Sequence, residues 1–266
     1  MTEKLITGTF TSQWTILVVV TLILIVLAEA GFRFGIMARR KLKEKAEGHS
    51  GSVQGAILGL LGLLLGFSFA MAVGRYDARR ALAVEEANSI GTTWLRASFL
   101  TEPRHAEAKA LLREYTRLHL EAAKNPEDGQ RLREILKESN AIQGKLWTIA
   151  DDSVAESPGP VTMGFVTTLN ETIDLQSSRI AALRNHVPAA VWLLVITVAA
   201  CGSWASGYAA GAGGHRSFFN QAVFPLLIGV VITLIADIDR PQKGMVSVSQ
   251  VPMIELYESM APDPAP

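Results

Sequence analysis

Four long stretches of apolar residues, each free of charged side chains, dominate the hydrophobic pattern of the chain. They cover residues 5–28, 51–74, 187–214 and 217–236. A bilayer core about 30 Å thick requires roughly 20 apolar residues in a helix that rises about 1.5 Å per residue. Each stretch meets this requirement, so the pattern predicts four membrane-spanning helices.

A charge-rich segment separates the second apolar stretch from the third. Residues 75–186 contain 15 basic and 16 acidic residues. Apolar positions recur there at helical spacing, and prolines mark the breaks between helices. Four helices are predicted in this segment, over 78–100, 103–125, 126–150 and 161–185. Only 246–251 shows strand-like alternation, so the predicted fold class is all-α.

The predicted organisation is two transmembrane hairpins that flank a helical extramembrane domain. The hairpins occupy 1–74, with spans at about 5–28 and 51–74, and 187–240, with spans at about 187–210 and 217–236. The helical domain occupies 75–186, and a tail follows at 241–266, whose proline-rich end is expected to be disordered. A cleaved signal peptide ending near Ala28 is disfavoured, because the apolar run is long and a basic segment follows it.

Small residues recur at four-residue intervals in two of the predicted spans. In lipid, such a spacing lets helix backbones approach closely. The predicted helix-packing positions are Gly55, Gly59, Gly62, Gly66, Gly207 and Gly211. The sequence does not decide whether the partner helix belongs to the same chain or to a neighbouring copy.

Charge and composition narrow the range of functions. The 25 basic residues balance the 25 acidic ones, so no global field attracts nucleic acid, and none is expected as a partner. The five histidines are scattered, and Cys201 lies alone in an apolar run. Phosphate-binding loops, metal-ligand spacings and the serine-hydrolase elbow are absent from the sequence. We therefore expect no cofactor, no metal, no catalytic residues and no enzymatic activity.

The charges beside the spans nearly balance across the membrane. The positive-inside rule counts Lys and Arg near the ends of the spans. Seven lie on the side of the 29–50 loop and eight on the side that holds both termini and the helical domain. Charge alone therefore leaves the orientation open.

Two segments resemble a bacterial family of uncharacterised function called bestrophin-like. The first runs from Gly66-Phe67-Ser68-Phe69-Ala70 through Arg75-Tyr76-Asp77-Ala78-Arg79-Arg80 to the stretch 85–93, and the second comprises Asp239-Arg240-Pro241 and 248–253. That family is distantly similar to bestrophins, which are pentameric anion channels. The resemblance implies a homo-oligomer in the plasma (inner) membrane, with membrane lipid and small anions as partners and the helical domain in the cytoplasm. Nothing in the sequence resembles the acidic calcium-binding run of the animal channels.

Charged and aromatic residues at the end of the second span are the main candidates for a function. If this span faces an oligomer axis, Phe67 and Phe69 would form an apolar constriction, and Arg75 or Arg79 would form a ring that attracts anions. The alternative is that these arginines extend to lipid headgroups and pair with Asp77. The pore or membrane-edge candidates are Phe67, Phe69, Arg75, Tyr76, Asp77, Arg79 and Arg80.

A second polar set lies near the junctions of the hairpins with the helical domain. Its members are Glu85, Glu86, Asp237, Asp239, Arg240 and Gln250. Asp237 and Asp239 either form a local pair or turn with Arg240, or connect the two hairpins by contacting Arg75 or Arg79. The sequence supports two functions: an anion channel lined by the second span, or a non-conducting scaffold or sensor that acts through its helical domain.

Overall fold

The computed structural model of the chain describes residues 13–42, 50–126, 128–216, 218–240 and 245–260. Across these residues the chain forms α-helices and one short π-helical turn, Phe219–Val223, and no strand. The helices are α1 (Gln13–Leu42), α2 (Ser50–Ala97), α3 (Arg104–Lys124), α4 (Gly129–Glu156), α5 (Pro160–Arg184), α6 (Ala189–Gly213), α7 (Phe224–Asp239) and α8 (Val251–Ser259). The predicted all-α fold class is confirmed.

Four helical stretches are long and apolar enough to cross a membrane. They are Gln13–Arg40, Ser52–Ala97, Pro160–Gly213 and Gln221–Asp239. Each overlaps most of one uncharged run of the sequence, and the prediction of four membrane-spanning helices is confirmed. The predicted start of the first span at residue 5 and the proline-rich end of the tail lie outside the described residues.

The second span and the first predicted helix of the insert form one continuous helix, α2. The charged residues from Arg75 onward carry no helix-breaking residue, so the backbone hydrogen bonds continue without interruption. α1 likewise extends through the basic residues Arg39 and Arg40 to Leu42. The polarity of the sequence changes at both places, but the backbone conformation does not.

Capping residues and prolines set the ends of several other helices. α4 begins at Gly129 because the Asp128 carboxylate accepts hydrogen bonds from the backbone N–H groups of Gln130 and Arg131, at 3.1 and 2.9 Å. α4 ends at Glu156, six residues beyond the predicted end. Pro252 lies in the first turn of α8, where its missing N–H costs little. Val251, the last residue of the stretch with strand-like alternation, 246–251, is therefore the first residue of a helix.

One compact unit contains the membrane hairpins, Met1–Gly74 and His186–Arg240. α1 and α6 pack closely along a seam of glycines: a Cβ atom at Gly207 or Gly211 would overlap backbone atoms of α1, and one at Gly31 or Gly35 would overlap the backbone of α6. The buried apolar cluster of this unit comprises Leu24, Leu61, Val195, Ala199, Ile228 and Ile232. Close backbone approach supplies the van der Waals contact that holds helices together in lipid.

The other compact unit comprises Arg75–Asn185 and Pro241–Pro266. Its large buried side chains include Ile90, Leu112, Tyr115, Leu146, Phe165 and Leu169. α8 belongs to this core through Met253, which is 2% exposed. Leu256 of α8 lies so close to Gly91 that a Cβ atom there would be 3.1 Å from its Cδ1 atom. The final described segment of the chain is therefore an integral part of the helical unit.

Candidate functional site

The membrane part of α2 has one covered face and one uncovered face. Leu61, Ser68 and Ala72 are at most 3% exposed. On the other side, no atom of another described residue lies within 4 Å of a Cβ position built at four of the predicted packing glycines, Gly55, Gly59, Gly62 and Gly66. The described residues therefore leave the glycine stripe of α2 uncovered, whereas Gly207 and Gly211 of α6 lie against α1.

Phe67 and Phe69 flank this glycine stripe on opposite sides. Their side chains are 62% and 39% exposed. Two residues correspond to about 200° of rotation in an α-helix, so the two rings cannot both point toward one axis. The constriction expected from the sequence can therefore involve only one of them as its principal residue.

Arg79 lies on the covered face of α2, although it was expected among the arginines of a pore ring. Its side chain is 3% exposed. Its Nε and Nη2 atoms donate hydrogen bonds to the backbone carbonyl oxygens of Ala182 and Asn185, at 3.1 and 2.7 Å. A cation at this position binds carbonyl groups at the C-terminal end of α5 and interacts favourably with the helix dipole.

The other charged residues of this segment are divided between the two sides of α2. Arg75 is one turn before Arg79, and its Nε atom lies 3.5 Å from Oδ1 of Asn185. Asp77 and Arg80 are exposed, and Tyr76 is half-buried. Sequence reasoning grouped these residues as one edge set, but helical geometry assigns Asp77 and Arg80 to a different side from Arg79.

The two aspartates at the end of α7 are buried in the membrane unit. The Asp239 carboxylate accepts a hydrogen bond from the backbone N–H of Val187, with its two oxygens 3.0 and 3.2 Å from the nitrogen. Asp237 accepts a hydrogen bond from the Gln13 side chain. Arg240 follows as the C-cap residue of α7 and is half-buried. The contact between these aspartates and Arg75 or Arg79 that the sequence suggested remains a prediction.

Two other members of the second polar set meet inside the helical unit. Glu86 is fully buried and accepts a hydrogen bond from Nη1 of Arg179, while Nη2 of Arg179 donates to Oε1 of Gln250 at 2.9 Å. Nδ1 of His119 lies 3.2 Å from the other Glu86 oxygen. Arg179 therefore connects α2, α5 and the segment before α8, whereas Glu85 is exposed.

Sequence reasoning assigned no role to Arg179 beyond its charge. A signal was nevertheless present, because Glu86 lies on the apolar side of α2 together with Ala83, Ala87 and Ile90. A carboxylate on a buried helix face requires a cationic or hydrogen-bonding partner. The identity of the partner could not be read, because Arg179 is 93 residues away in the chain.

Further polar contacts inside the helical unit join α2, α3, α4 and α5. Thr172 of α5 is within hydrogen-bonding distance of Ser89 and Thr93 of α2, at 2.9 and 3.0 Å. Tyr115 of α3 donates a hydrogen bond to Gln176 of α5, and Gln143 of α4 donates to both. Burial raises the pKa of the Tyr115 phenol, so it stays protonated and acts as a donor.

Partly exposed ion pairs lie on α3 and join it to α4 at the surface of this unit. Arg131 donates to Glu121 at 2.6 Å, and Arg117 donates to Glu114 and Glu121. The hydrogen bond from Arg131 lowers the pKa of Glu121, and the hydrogen bond from Arg117 lowers the pKa of Glu114. Within the part of the chain that the structure describes, no three acidic, histidine or cysteine side chains converge as metal ligands. The charges here form structural pairs.

Comparison with known proteins relates this chain to one protein family and to several solved structures. The Bestrophin-like domain family matches residues 15–253, and no curated protein matches the sequence. Two structures of a bacterial bestrophin homologue from Klebsiella pneumoniae, each with a point mutation, share its fold. They have 12% and 14% sequence identity and TM-scores of 0.62 and 0.63, over 90% and 89% of this chain and 95% and 94% of theirs.

Another solved structure, that of a membrane protein, has a similar fold. Its TM-score is 0.65 at 12% identity, and the match covers 90% of this chain and 95% of that one. At such identities the similarity establishes the fold alone. The family match covers most of the sequence and confirms the resemblance of its two segments. The chain is therefore a membrane protein of the bestrophin type and belongs to the bestrophin-like domain family.

Proposed function

We propose that this protein is a homo-oligomeric channel for small anions in the plasma (inner) membrane, with the pore lined by the uncovered face of α2. The family resemblance supplies anion conduction as the expected activity. The observation that carries the pore assignment is the stripe of glycines on α2 that no other described part of the chain covers.

The physical reason is the behaviour of glycine in lipid. A helix face made of glycine offers acyl chains little surface to contact, and it exposes backbone polar groups. Such a face is stable when another helix packs closely on it or when it borders a water-filled path. Copies of α2 around a common axis provide both surroundings.

The charge for anion attraction comes from a different arginine than the sequence suggested. Arg79 is buried, and its guanidinium binds the end of α5. Arg80 is exposed, and its spacing of seven residues from Val73 and fourteen from Gly66 keeps it near the side of the glycine stripe. A ring of Arg80 side chains would raise the local anion concentration, with Asp77 one turn earlier as a partner.

Chloride flux from liposomes tests the pore assignment. The purified protein should release chloride, and Phe67→Ala should change the flux at least threefold if Phe67 borders the constriction. Phe34→Ala is the matched control, because Phe34 is a 56% exposed phenylalanine on α1. Phe69→Ala tests the other flank of the stripe. Equal flux from all three variants and the unmodified protein would remove α2 from the pore.

The mass of the complex in mild detergent tests the oligomer. A closed ring of about five copies supports the channel, because a ring encloses an axis. A monomer or dimer without chloride flux would instead favour a scaffold or sensor acting through the helical unit. Reporter fusions after Met260 test the cytoplasmic location, and a reporter active only in the periplasm would contradict it.

A further inference from the structure

The helical unit contains a cavity that the proposed channel does not use. Its volume is about 370 Å³, and residues of α2, α3, α4 and α5 line it. Cavities of roughly 300–1,000 Å³ with apolar walls and a few polar groups are typical binding sites for small molecules. The walls of this one include Leu132, Ile135, Leu136, Ile180 and Leu183.

One residue that lines the cavity has an unsatisfied hydroxyl group. Ser139 of α4 is 1% exposed, and its Oγ atom has no hydrogen-bond partner among the residues that the structure describes. Other hydroxyls in helices of this unit do bond locally: Ser153 donates to the carbonyl of Ile149 at 2.6 Å, and Thr116 donates to that of Leu112 at 2.8 Å. A buried hydroxyl without a partner is destabilising, and a ligand that bonds to it would remove that cost.

Two exposed arginines also line the cavity. Arg133 of α4 and Arg184 of α5 both line the cavity and are accessible to solvent. In the part of the chain that the structure describes, neither guanidinium has an ion-pair partner. Solvent-accessible guanidinium groups that line an apolar cavity are suited to a carboxylate, because each can donate two parallel hydrogen bonds.

The charge on the buried wall of the cavity, where Glu86 lies, determines the orientation of an anionic ligand. The carboxylate of Glu86 lies at this wall, where Arg179 donates to it. A second carboxylate placed beside Glu86 would be repelled, whereas one beside Arg133 and Arg184 would be attracted. The anionic end of the ligand therefore points outward and its uncharged part fills the cavity.

We propose that this cavity binds a small aromatic or aliphatic carboxylate that carries a hydroxyl group at the end remote from the carboxylate. The carboxylate binds Arg133 and Arg184, the apolar body contacts the leucine and isoleucine side chains, and the hydroxyl bonds to Ser139. This site is separate from the proposed pore and does not depend on anion conduction.

Isothermal titration calorimetry on the full chain in non-ionic detergent tests the proposal, with 3-(4-hydroxyphenyl)propionate as the probe. We expect a dissociation constant of a millimolar or tighter. 3-Phenylpropionate lacks the hydroxyl and 4-ethylphenol lacks the carboxylate, so each should bind about tenfold more weakly, which corresponds to one charged or buried hydrogen bond of about 1.4 kcal/mol.

Variants assign these contributions to residues. Ser139→Ala should weaken binding of the hydroxylated probe tenfold and leave 3-phenylpropionate unchanged, and Arg133→Ala with Arg184→Ala should weaken both carboxylates. Lys137→Ala is the matched control, since Lys137 is exposed one turn from Arg133 on the same helix. These variants remove a hydroxyl without a partner or exposed charges, so helicity and melting temperature should stay unchanged. A dissociation constant of roughly 10 mM is the weakest expected of a ligand this size. The proposal would be overturned if the probe did not bind at about this concentration, or if no variant weakened its binding.

Discussion

Removing Arg179 should destabilise the helical unit more than any other single side-chain change on its polar residues. Glu86 is fully buried, and Arg179 is its hydrogen-bonded cationic partner. Arg179→Met keeps the apolar length of the side chain but leaves a buried carboxylate with only His119 nearby. Breaking a buried ion pair from one side costs about 3–5 kcal/mol.

Protonation of Glu86 limits that cost. A carboxyl group with an ordinary pKa of about 4.3 takes up a proton at pH 7 for about 3.7 kcal/mol, so the variant should lose about 3–4 kcal/mol. For a unit of this size, such a loss lowers the melting temperature by roughly 6–16 °C. Circular dichroism of the full chain in mild detergent measures this change.

Two controls separate the buried charge from lost packing. In Glu86→Gln with Arg179→Met no charge remains, so this double variant should recover most of the stability at pH 7. The single variant should gain stability relative to the unmodified protein between pH 7 and pH 5, because its folded state takes up a proton that the unfolded state does not. If the single and double variants melt at the same temperature at both pH values, the ion pair does not act as we infer.

Three further predictions test other parts of the structure. Arg79→Ala removes two charged hydrogen bonds to the end of α5, so the free energy of unfolding measured by thermal melting should fall by about 3 kcal/mol. Arg80→Ala changes an exposed neighbour and should alter that free energy by less than about 0.5 kcal/mol, and equal effects of the two variants would refute the buried position of Arg79. Gly207→Ala places a methyl group against the α1 backbone and should cost about 1–3 kcal/mol. Gly55→Ala meets no atom of the described residues and should leave the melting temperature of a detergent-separated monomer unchanged, and the reverse order would contradict the α1–α6 seam. Because folding lowers the pKa values of Glu114 and Glu121, the stability that they contribute is present above a pH of about 4.3 and is lost as the pH falls below it. Glu121→Gln should therefore reduce the dependence of the melting temperature on pH between pH 5 and pH 3. An unchanged dependence would show that the surface pairs contribute nothing.

The membrane spans could be predicted from the sequence because their cause is local. An uncharged run of 20 residues can be satisfied only by a helix in lipid, and this conclusion needs no knowledge of the partner helices. The breaks near Pro103 and Asn125 are local for the same reason, since proline acts on its own backbone. The continuity of α2 past Gly74 was harder to predict. The change from apolar to charged residues there resembles the end of one helix and the start of another, but most charged residues are good helix formers and do not end a helix.

The partners of the candidate residues could not be predicted, because they are distant in the chain. Arg79 and the carbonyl group of Asn185 are 106 positions apart, and nothing in the intervening sequence indicates that they meet. Helical spacing alone nevertheless allows these residues to be assigned to the correct faces of α2. Arg79, Glu86, Ile90 and Thr93 recur at intervals of seven, four and three, which places them on one face and leaves Arg80 on another.

The polar contacts of α2 also explain how one packing arrangement is selected in the helical unit. Along the covered face, Arg79, Glu86, Ser89 and Thr93 each have a partner on or beside α5. Rotation of α2 by one residue, about 100°, would leave Arg179 without Glu86 and Thr172 without either hydroxyl. Each buried group left unpaired costs about 1–3 kcal/mol, more for the charges, so the alternative is excluded by several kcal/mol. An apolar face of alanines and isoleucines alone would distinguish these packings far less, because methyl groups have no directional requirement. Buried polar pairs therefore determine which side of α2 is covered in this unit, and the exposed position of Arg80 follows from them.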